Sequence, residues 1–460
     1  MRLYKVNWQT KFSLIFLSIY FIFLFDIINL DNKGRLIILR KKGEKRMSSI
    51  HVTSEIGKLK KVLLHRPGNE LLNLTPDTLG ELLFDDIPYL EDAQKEHDEF
   101  AAALKDNGVE VVYLEDLVAD VIKDDNIRTK FIKQFIKEAG IHTIKYRNLV
   151  FEFLNNIKDA KELVLQTMEG IQIKDLPAHK RDVEKTLVDL VEAPEKFIAA
   201  PMPNLYFTRD NFASVGEGVN LNHMYSVTRN RECIYAEYVF KYHENFKDTP
   251  LYYNRGYHWH TEGGDVLNIN EHIVAIGISQ RTEAAAIDQI AKNFFKDETC
   301  KIDTILAFSI PESRAFMHLD TVFTQIDKYT FTYHPGISET LQVYEITEGY
   351  DPTTYEDLNV KEITGSLPEI LEKYLHHEVT LIPCAGGDKV ASEREQWNDG
   401  SNTLCIAPGV VVVYDRNNVT NQVLRDAGLK VIEIHGAELG RGRGGPRCMS
   451  MPLVREDVKW

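Results

Sequence analysis

Short apolar runs alternate with amphipathic stretches along most of this chain. Lys61–His65 has the pattern of a β-strand, Ile87–Lys105 that of a helix, and Val109–Leu114 that of a second strand. The same order returns later in the predicted elements Val266–Ile269, His272–Ile276, Thr282–Phe295, Val410–Tyr414, Val419–Ala427 and Leu429–Ile434. Each strand–strand–helix–strand unit is too small to bury its own apolar face, so the pattern predicts an α/β fold built from repeated units.

One stretch interrupts this repeat. Across residues 120–193 the periodicity is helical, with Phe131, Phe135 and Ile136 on one face and Gly140 as a helix stop. We therefore predict a helical insertion at 120–193 within the repeating domain.

The first 46 residues differ from the rest. Phe12–Phe25 is an uncharged apolar run of 14 residues, followed by a basic stretch at Arg40–Arg46. A signal anchor has this order, but a membrane span needs about 20 apolar residues. The alternative is that translation starts at Met47, which makes residues 1–46 a start-site artefact. We favour the second interpretation, with 47–460 as the domain and a cytoplasmic location; membrane tethering requires that residues 1–46 be real and retained.

Charge and cysteine content limit the range of functions that the chain could have. The formal net charge is −15, and it becomes −22 without residues 1–46, which carry 10 basic and 3 acidic groups. This acidity argues against a nucleic-acid partner. Five cysteines without C-x-x-C spacing indicate neither a disulfide framework nor a zinc cluster, so that most are ordinary buried thiols and one is available as a nucleophile.

Several clusters carry groups suited to chemistry. Asn204–Asp210 brings an acid to the end of a loop, and His258–Asp265 places two acids around a glycine pair that permits close approach of a ligand. In Phe316–Thr321, an extended backbone would project His318 and Asp320 to the same side, so that the carboxylate could orient the imidazole.

The C-terminal cluster Arg441–Met451 is rich in arginine and glycine and contains Cys448. It has the composition of a short nucleic-acid tail or of an ordered loop in which cations favour the thiolate. Arg229 and Arg281 are isolated arginines. A hydrolytic metal would find enough ligands in His258, His260, Glu262, Asp265, His318 and Asp320, but no H-E-x-x-H spacing is present.

Taken in order, these motifs resemble the bacterial arginine deiminases, which belong to a superfamily of guanidino-group-modifying enzymes. The resemblance rests on Phe207–Asp210, His260–Asp265, Met317–Asp320 and Arg443–Cys448, and it extends over residues 47–460. Two departures are the N-terminal extension and Asn211, where proline is common in the family. The family fold implied is a five-bladed α/β propeller of strand–strand–helix–strand units with a helical insertion.

The resemblance also implies functional roles. Cys448 would be the nucleophile and His318 the general acid and base. Asp210 and Asp320 would hold the guanidinium, and Glu262 would hydrogen-bond both the guanidinium and His318. The implied substrate-binding residues are Asn204 and Phe207 in the pocket lining, Arg229 and Arg281 at the substrate carboxylate, and Arg443 on a mobile loop.

The implied reaction converts free L-arginine to citrulline and ammonia, the first step of arginine degradation. A thiolate attacks the guanidinium carbon, and water resolves the resulting covalent thiouronium intermediate, without a metal or an organic cofactor. Three alternatives remain at this point: an amidinotransferase, a methylarginine hydrolase, or a non-catalytic arginine-binding protein. A homo-oligomer is compatible with the sequence.

Overall fold

The computed structural model describes residues 28–30, 36–38, 49–183, 185–311, 316–337, 341–351, 353 and 356–460. The chain divides into two units, Met1–Ser48 and Ser49–Trp460. In the first, Ile28–Leu30 pairs antiparallel with Leu36–Ile38. The apolar run Phe12–Phe25 lies outside the described residues, and no helix that is described has the length and apolar character needed to cross a bilayer.

Within Ser49–Trp460 the same arrangement of three strands and a helix occurs five times. The first strand pairs antiparallel with the second, a helix follows, and the third strand runs parallel to the second. This order confirms the prediction of a mixed α/β fold with strand–strand–helix–strand units.

We name these five units sheets A to E, and each name covers the three strands together with the helix that connects the second strand to the third. Sheet A comprises Phe212–Val215, Gly218–Leu221, the helix Cys233–Tyr242 and Leu251–Tyr253. Sheet B comprises Val266–Asn268, Ile273–Ile278, the helix Ala284–Lys296 and Thr304–Ser309. Sheet C comprises Phe323–Asp327, Thr330–Tyr333, the helix Leu367–Leu375 and Thr380–Pro383. Sheet D comprises Leu404–Ala407, Val410–Tyr414, the helix Asn418–Asp426 and Lys430–Ile434.

Sheet E joins the two ends of Ser49–Trp460. Its first strand is the C-terminal Met451–Arg455, which pairs with Leu59–Leu64; the helix Leu90–Asp106 and the strand Glu110–Tyr113 complete it. Sheet B is extended at its far edge by the hairpin Gln342–Asp351 and Glu356–Ile363, which no sequence pattern had predicted.

A run of helices follows sheet E. Their bounds are Leu114–Val121, Asp125–Glu138, Ile144–Asn156, Ala160–Glu169, Ala178–Arg181 and Leu187–Val191. Phe131 is fully buried and packs edge-on against Tyr238 of sheet A, with ring centroids 5.2 Å apart. Asp124 caps the second helix by accepting from two backbone N–H groups. Whether residues 120–193 form a separate insertion domain stays a prediction.

The remaining elements are short. Among the described residues they include the α-helices Leu79–Leu82, Val227–Asn230, Leu319–Val322 and Lys389–Trp397, the antiparallel pair Ile171–Gln172 and Phe197–Ala199, and several single turns of 3-10 helix.

A buried ion triad ties sheet E to the helices that follow it. His65 is fully buried; its Nδ1 lies 2.8 Å from Glu115 and its Nε2 lies 3.2 Å from Glu70. Burial opposes the charged imidazole, but the two carboxylates outweigh it and raise the pKa of His65 to about 10.

We expect His65→Gln to destabilise the protein in a pH-dependent manner. The pKa of His65 is raised from 6.5 to about 10 on folding, so its stabilising contribution is complete below pH 6.5 and lost as the pH rises through about 10. Removing one member of a buried ion pair costs about 3–5 kcal/mol of unfolding free energy. Because His65 is mostly protonated in both states at about pH 6, the loss should be largest there and should shrink as the pH rises. Urea unfolding of wild type and variant over this range measures it. His272→Gln, at an imidazole whose side chain is 53% exposed, is the control, and a deficit independent of pH would contradict the assignment.

Candidate active site

The segments that precede the first strands of sheets A, B, C and E converge on one pocket. Asp210 precedes sheet A, Glu262 sheet B, His318 and Asp320 sheet C, and Cys448 sheet E. All five side chains are buried, with at most 4% of each residue exposed. The structure thus brings together the five residues that the sequence motifs nominated for catalysis. The pocket wall contains Leu83, Asn204, Phe207, Asp210, Arg229, Arg281, Met317, His318, Thr321, Gly442, Arg443 and Cys448.

Asp210 is held through one carboxylate oxygen. Its Oδ2 accepts from Nη1 of Arg229 at 2.8 Å, and Arg229 also contacts Glu232 at 3.1 Å. The other oxygen, Oδ1, is buried and accepts no hydrogen bond from the residues that the structure describes. Burial opposes the charge on Arg229, but the acids around it raise its pKa overall. Asp210 therefore keeps one acceptor free for a cationic ligand.

Asp320 repeats this arrangement on a different arginine. Its Oδ2 accepts from Nη1 of Arg447 at 2.6 Å, while Oδ1 is buried without a hydrogen-bond partner in the described chain. The same Oδ2 lies 3.7 Å from Sγ of Cys448. Two carboxylates, each held by one arginine, thus offer their second oxygens to a ligand; such geometry suits the planar fork of a guanidinium.

His318 lies between two carboxylates. Its Nε2 is 2.8 Å from Oε2 of Glu262, and its Nδ1 is 3.9 Å from Oδ1 of Asp210. Burial disfavours the charged ring, but these carboxylates outweigh it and raise the pKa of His318 to about 9. The imidazole is therefore protonated at neutral pH and able to donate a proton.

The backbone around His318 is fixed from sheet B. Asp265 accepts from the N–H of Leu319 at 2.8 Å and from the hydroxyls of Ser279 and Thr282 at 2.7 Å each. A Cβ on Gly264 would lie 2.5 Å from Nδ1 of His318, so only glycine permits this approach. The glycine pair allows close packing of the imidazole; the sequence had suggested a close approach of ligand.

The prediction that His318 and Asp320 project to the same side of a strand is wrong. His318 is extended, with φ −136° and ψ 162°, but Leu319–Val322 is a turn of helix, and the strand begins only at Phe323. Asp320 turns towards Arg447 and Cys448, and the partner of His318 is Glu262.

Cys448 sits in a negative environment. Burial raises the pKa of its thiol well above the usual value; Asp320, Asp210 and Asp399 raise it further, and Arg447 lowers it. The sequence places several arginines near Cys448; of these, Arg443 stacks over the ring of Trp397, with its guanidinium carbon 3.6 Å from the ring centroid. This environment therefore favours the thiol of Cys448 over its thiolate.

The loop before Cys448 wraps an aromatic ring. A Cβ on Gly444 would lie 2.3 Å from the ring of Phe207, and one on Gly442 would lie 2.1 Å from the hydroxyl of Tyr206. Arg443, between these glycines, takes a left-handed conformation with φ 64°. Asn204 anchors the opposite wall by donating to the carbonyl of Leu82 at 2.7 Å.

Arg281 lies at the far side of the pocket, where its Nη1 is 3.4 Å from Glu262. Its guanidinium carbon lies 5.6 Å from the centroid of the Tyr225 ring. Arg229 and Arg281 both line the pocket, each beside a site carboxylate; their role in binding the substrate carboxylate stays a prediction.

Three residues have the spacing of a possible metal site: Asp210, Glu262 and His318, whose ligand atoms lie within 4.8 Å of one another. The other residues of the metal interpretation lie elsewhere or are engaged. His258 is exposed, His260 lies 3.6 Å from Glu283, Asp265 accepts three hydrogen bonds, and Asp320 is held by Arg447.

Sequence reasoning missed several residues that shape the site. Asn402 precedes sheet D, and its side chain accepts from the N–H of Cys448 at 3.0 Å and donates to the carbonyl of Asp320 at 3.1 Å. Arg447 holds Asp320 on the side away from the pocket, and Glu55 in turn holds Arg447. The position of Arg447 beside Cys448 was visible in the sequence, but its partner was not, because Glu55 lies 392 residues away.

A family model and several sequence relatives of this chain carry the same name. A family model described as arginine deiminase matches residues 80–455. The arginine deiminase of Treponema denticola is 59% identical over 416 residues, which is 90% of this chain and 100% of that protein. That of Clostridium perfringens is 51% identical over 413 residues, covering 89% of this chain and 99% of that protein. Among solved structures, SxtG, an amidinotransferase from Microseira wollei in the saxitoxin biosynthetic pathway, matches with a TM-score of 0.49 and 15% identity over 89% of this chain and 98% of that one.

We expect the ultraviolet absorbance of free protein to show no Cys448 thiolate at neutral pH. Burial and three neighbouring carboxylates raise the pKa of this thiol well above 9.0, so the thiolate signal should appear only at higher pH. Subtracting the titration of Cys448→Ser isolates it from the other four cysteines. A thiolate signal at neutral pH that this variant lacks would refute the resting state described here.

Proposed function

Because this chain belongs to the arginine deiminase family, we propose that it hydrolyses free L-arginine to L-citrulline and ammonia with Cys448 as the nucleophile. The activity is that of a hydrolase acting on the C–N bonds of a linear amidine. The observation that carries the proposal is the pair of aspartates, Asp210 and Asp320, that each keep one buried oxygen free beside a single thiol.

The substrate guanidinium fits between these two aspartates. Charge-assisted hydrogen bonds to both Oδ1 atoms orient its plane and direct the central carbon towards Sγ of Cys448. The positive charge also cancels the field that raises the thiol pKa, so that the thiol loses its proton to solvent only when substrate is bound. Nucleophile activation is thus substrate-assisted.

His318 then supplies the proton chemistry. With a pKa raised to about 9 it is protonated when substrate binds, and it donates that proton to the departing nitrogen as the tetrahedral adduct collapses. Ammonia leaves, and a thiouronium remains on Cys448. The now neutral imidazole removes a proton from water as the oxygen attacks the same carbon. The second adduct then expels the sulfur, and the proton on its hydroxyl passes to that sulfur, so that citrulline leaves and Cys448 returns to the thiol. Glu262, 2.8 Å from Nε2, keeps the ring oriented through both steps.

Substrate selection falls to the arginines around the pocket. Arg229 and Arg281 are the groups that meet the α-carboxylate, and Asn204, Phe207 and Arg443 complete the wall. In the free protein Arg229 pairs with Asp210 and Arg281 with Glu262. An incoming guanidinium adds positive charge beside these acids, and the α-carboxylate balances that charge at the two arginines while they keep their contacts with Asp210 and Glu262.

We also propose that sheets A to E are the blades of a five-bladed propeller. Support comes from contacts that link each sheet to the next: Ser214 with Asn268, Asp265 with Leu319, Thr324 with Thr403, Tyr414 with Met449, and Met451 with Ser214. The first and last of these contacts both involve sheet A, as a closed ring requires.

We also propose the class of substrate, the oligomeric state and the cellular location of the protein. The net charge of −15 supports a small-molecule substrate rather than nucleic acid, and a cytoplasmic enzyme acting on free arginine is the context we propose. That the protein forms a homo-oligomer stays a prediction, which the molar mass from light scattering would test.

Turnover provides the central test. Residues 47–460 in EDTA should release citrulline and ammonia in equal amounts from L-arginine, and Cys448→Ser should lower the rate by about 10⁴-fold or more because no other nucleophile reaches the carbon. Cys300→Ser, at a half-buried thiol outside the pocket, is the matched control and should retain the rate. Loss of activity in EDTA would favour a metalloenzyme. Bound arginine without ammonia release would favour a sensor or, if an amine acceptor restores the reaction, an amidinotransferase.

Agmatine, which is arginine without its α-carboxylate, tests the roles of Arg229 and Arg281. We expect kcat/KM for agmatine to be lower by about 10⁴-fold, because without the α-carboxylate nothing at Arg229 and Arg281 balances the positive charge that the guanidinium brings into the pocket. Steady-state kinetics with both substrates gives this ratio. Comparable values would show that neither arginine selects the carboxylate.

A further inference from the structure

A chain of buried charges continues behind the pocket from Asp320 to Glu55. Arg447 donates from Nη1 to Oδ2 of Asp320 at 2.6 Å, from Nε to Oε2 of Glu55 at 3.2 Å, and from Nη2 to the carbonyl of Val266 at 3.0 Å. Relative exposure is 0% for Asp320, 1% for Arg447 and 5% for Glu55. The guanidinium is thus engaged on three sides and has no freedom to turn.

Glu55 is itself fixed to sheet B. Its Oε1 accepts from the N–H of Asn268 at 3.1 Å, and its own N–H donates to the carbonyl of Asn268 at 2.7 Å. A rigid strand therefore sets the position of Glu55, Glu55 sets that of Arg447, and Arg447 sets which oxygen of Asp320 is occupied.

We propose that Glu55 is a positioning residue for the reaction: through Arg447 it holds Asp320 by Oδ2 and leaves Oδ1 for the substrate guanidinium. The inference rests on the proposed function, but the thiol titration that tests it needs neither substrate nor turnover. Glu55 touches no reacting atom, and its effect is transmitted by two hydrogen bonds in series.

Glu55 also balances the charge beneath the nucleophile. Besides burial, the groups with the largest effect on the pKa of Cys448 are Asp320, Asp210, Asp399 and Arg447, and the thiol in turn acts on the hydroxyls of Tyr206 and Tyr414. Those that act on Glu55 are Arg447, Arg209 and Arg455. Removing the charge of Glu55 leaves these arginines in excess, and an excess of buried positive charge favours the thiolate of Cys448.

Glu55→Gln removes this charge while keeping the size of the side chain and an acceptor for Asn268. We expect kcat for arginine to fall about 10- to 100-fold because Asp320 is no longer held in register. KM should change less, since Arg229 and Arg281 are untouched. The thiolate absorbance of Cys448 in the free enzyme should titrate about one pH unit lower, which is about a tenfold rise in thiolate fraction at a given pH.

Two further variants separate positioning from general loosening of the fold. Glu115→Gln removes another buried glutamate from an ion pair, but its partner is His65 and not Arg447, the arginine that holds Asp320. It should lower thermal stability without moving the thiol titration. Arg447→Lys keeps the positive charge but loses the paired donors, so kcat should fall while the titration stays near that of wild type.

The outcomes are decisive in both directions. A Glu55→Gln enzyme with the kcat and thiol titration of wild type would overturn the proposal, and so would an equal titration shift in Glu115→Gln. If Glu55→Gln does not fold, Arg447→Lys decides: a reduced kcat supports the role of the pair, and an unchanged kcat refutes it. Failure of the wild type to turn over arginine would reject the proposed function, whereas the titrations would still report on the Glu55–Arg447 pair.

Discussion

The site depends on one constraint: carboxylates that must stay charged are buried where water cannot solvate them. An unpaired buried charge is too costly to persist, so each acid needs a cation held in place by the fold. Arg229 meets this need for Asp210, Arg447 for Asp320, and Arg281 together with His318 for Glu262. In both aspartates the pairing uses a single oxygen, so the same contact that makes burial tolerable leaves an acceptor for the substrate.

In the proposed mechanism the same negative field controls when Cys448 reacts. Because burial and the neighbouring carboxylates raise the thiol pKa of Cys448, the resting enzyme presents an inert thiol to other electrophiles. A planar cation between the aspartates removes that penalty and simultaneously brings its electrophilic carbon to the sulfur. In the mechanism proposed here, substrate binding and thiol activation therefore have the same electrostatic cause, and neutral analogues of the substrate lack the charge that activates the thiol.

Much of this could be predicted from the sequence, and the limits have physical causes. Repeated hydrophobic periods predicted the α/β units, and four ordered motifs gave the residues that meet in the pocket. The turn at Leu319–Val322 was misread as extended because a few residues do not distinguish a strand from one turn of helix. The partners of buried charges were missed for a different reason: the 392 residues between Glu55 and Arg447 leave no local pattern, and only packing brings them together.

Sheet E explains why such distant partners can be held precisely. Its first strand, Met451–Arg455, lies directly after Cys448, and it pairs with Leu59–Leu64, which lies directly after the segment containing Glu55. The sheet therefore forms only when both ends of Ser49–Trp460 meet, and that pairing carries the nucleophile and the acid behind Arg447 into place together. Sheet B adds the third fixed point, because Asn268 holds Glu55 and the carbonyl of Val266 accepts from Arg447. The pairing of the two terminal segments in sheet E thus also positions the groups of the site. A distortion of either segment would therefore displace Cys448, or would displace Asp320 through Glu55 and Arg447.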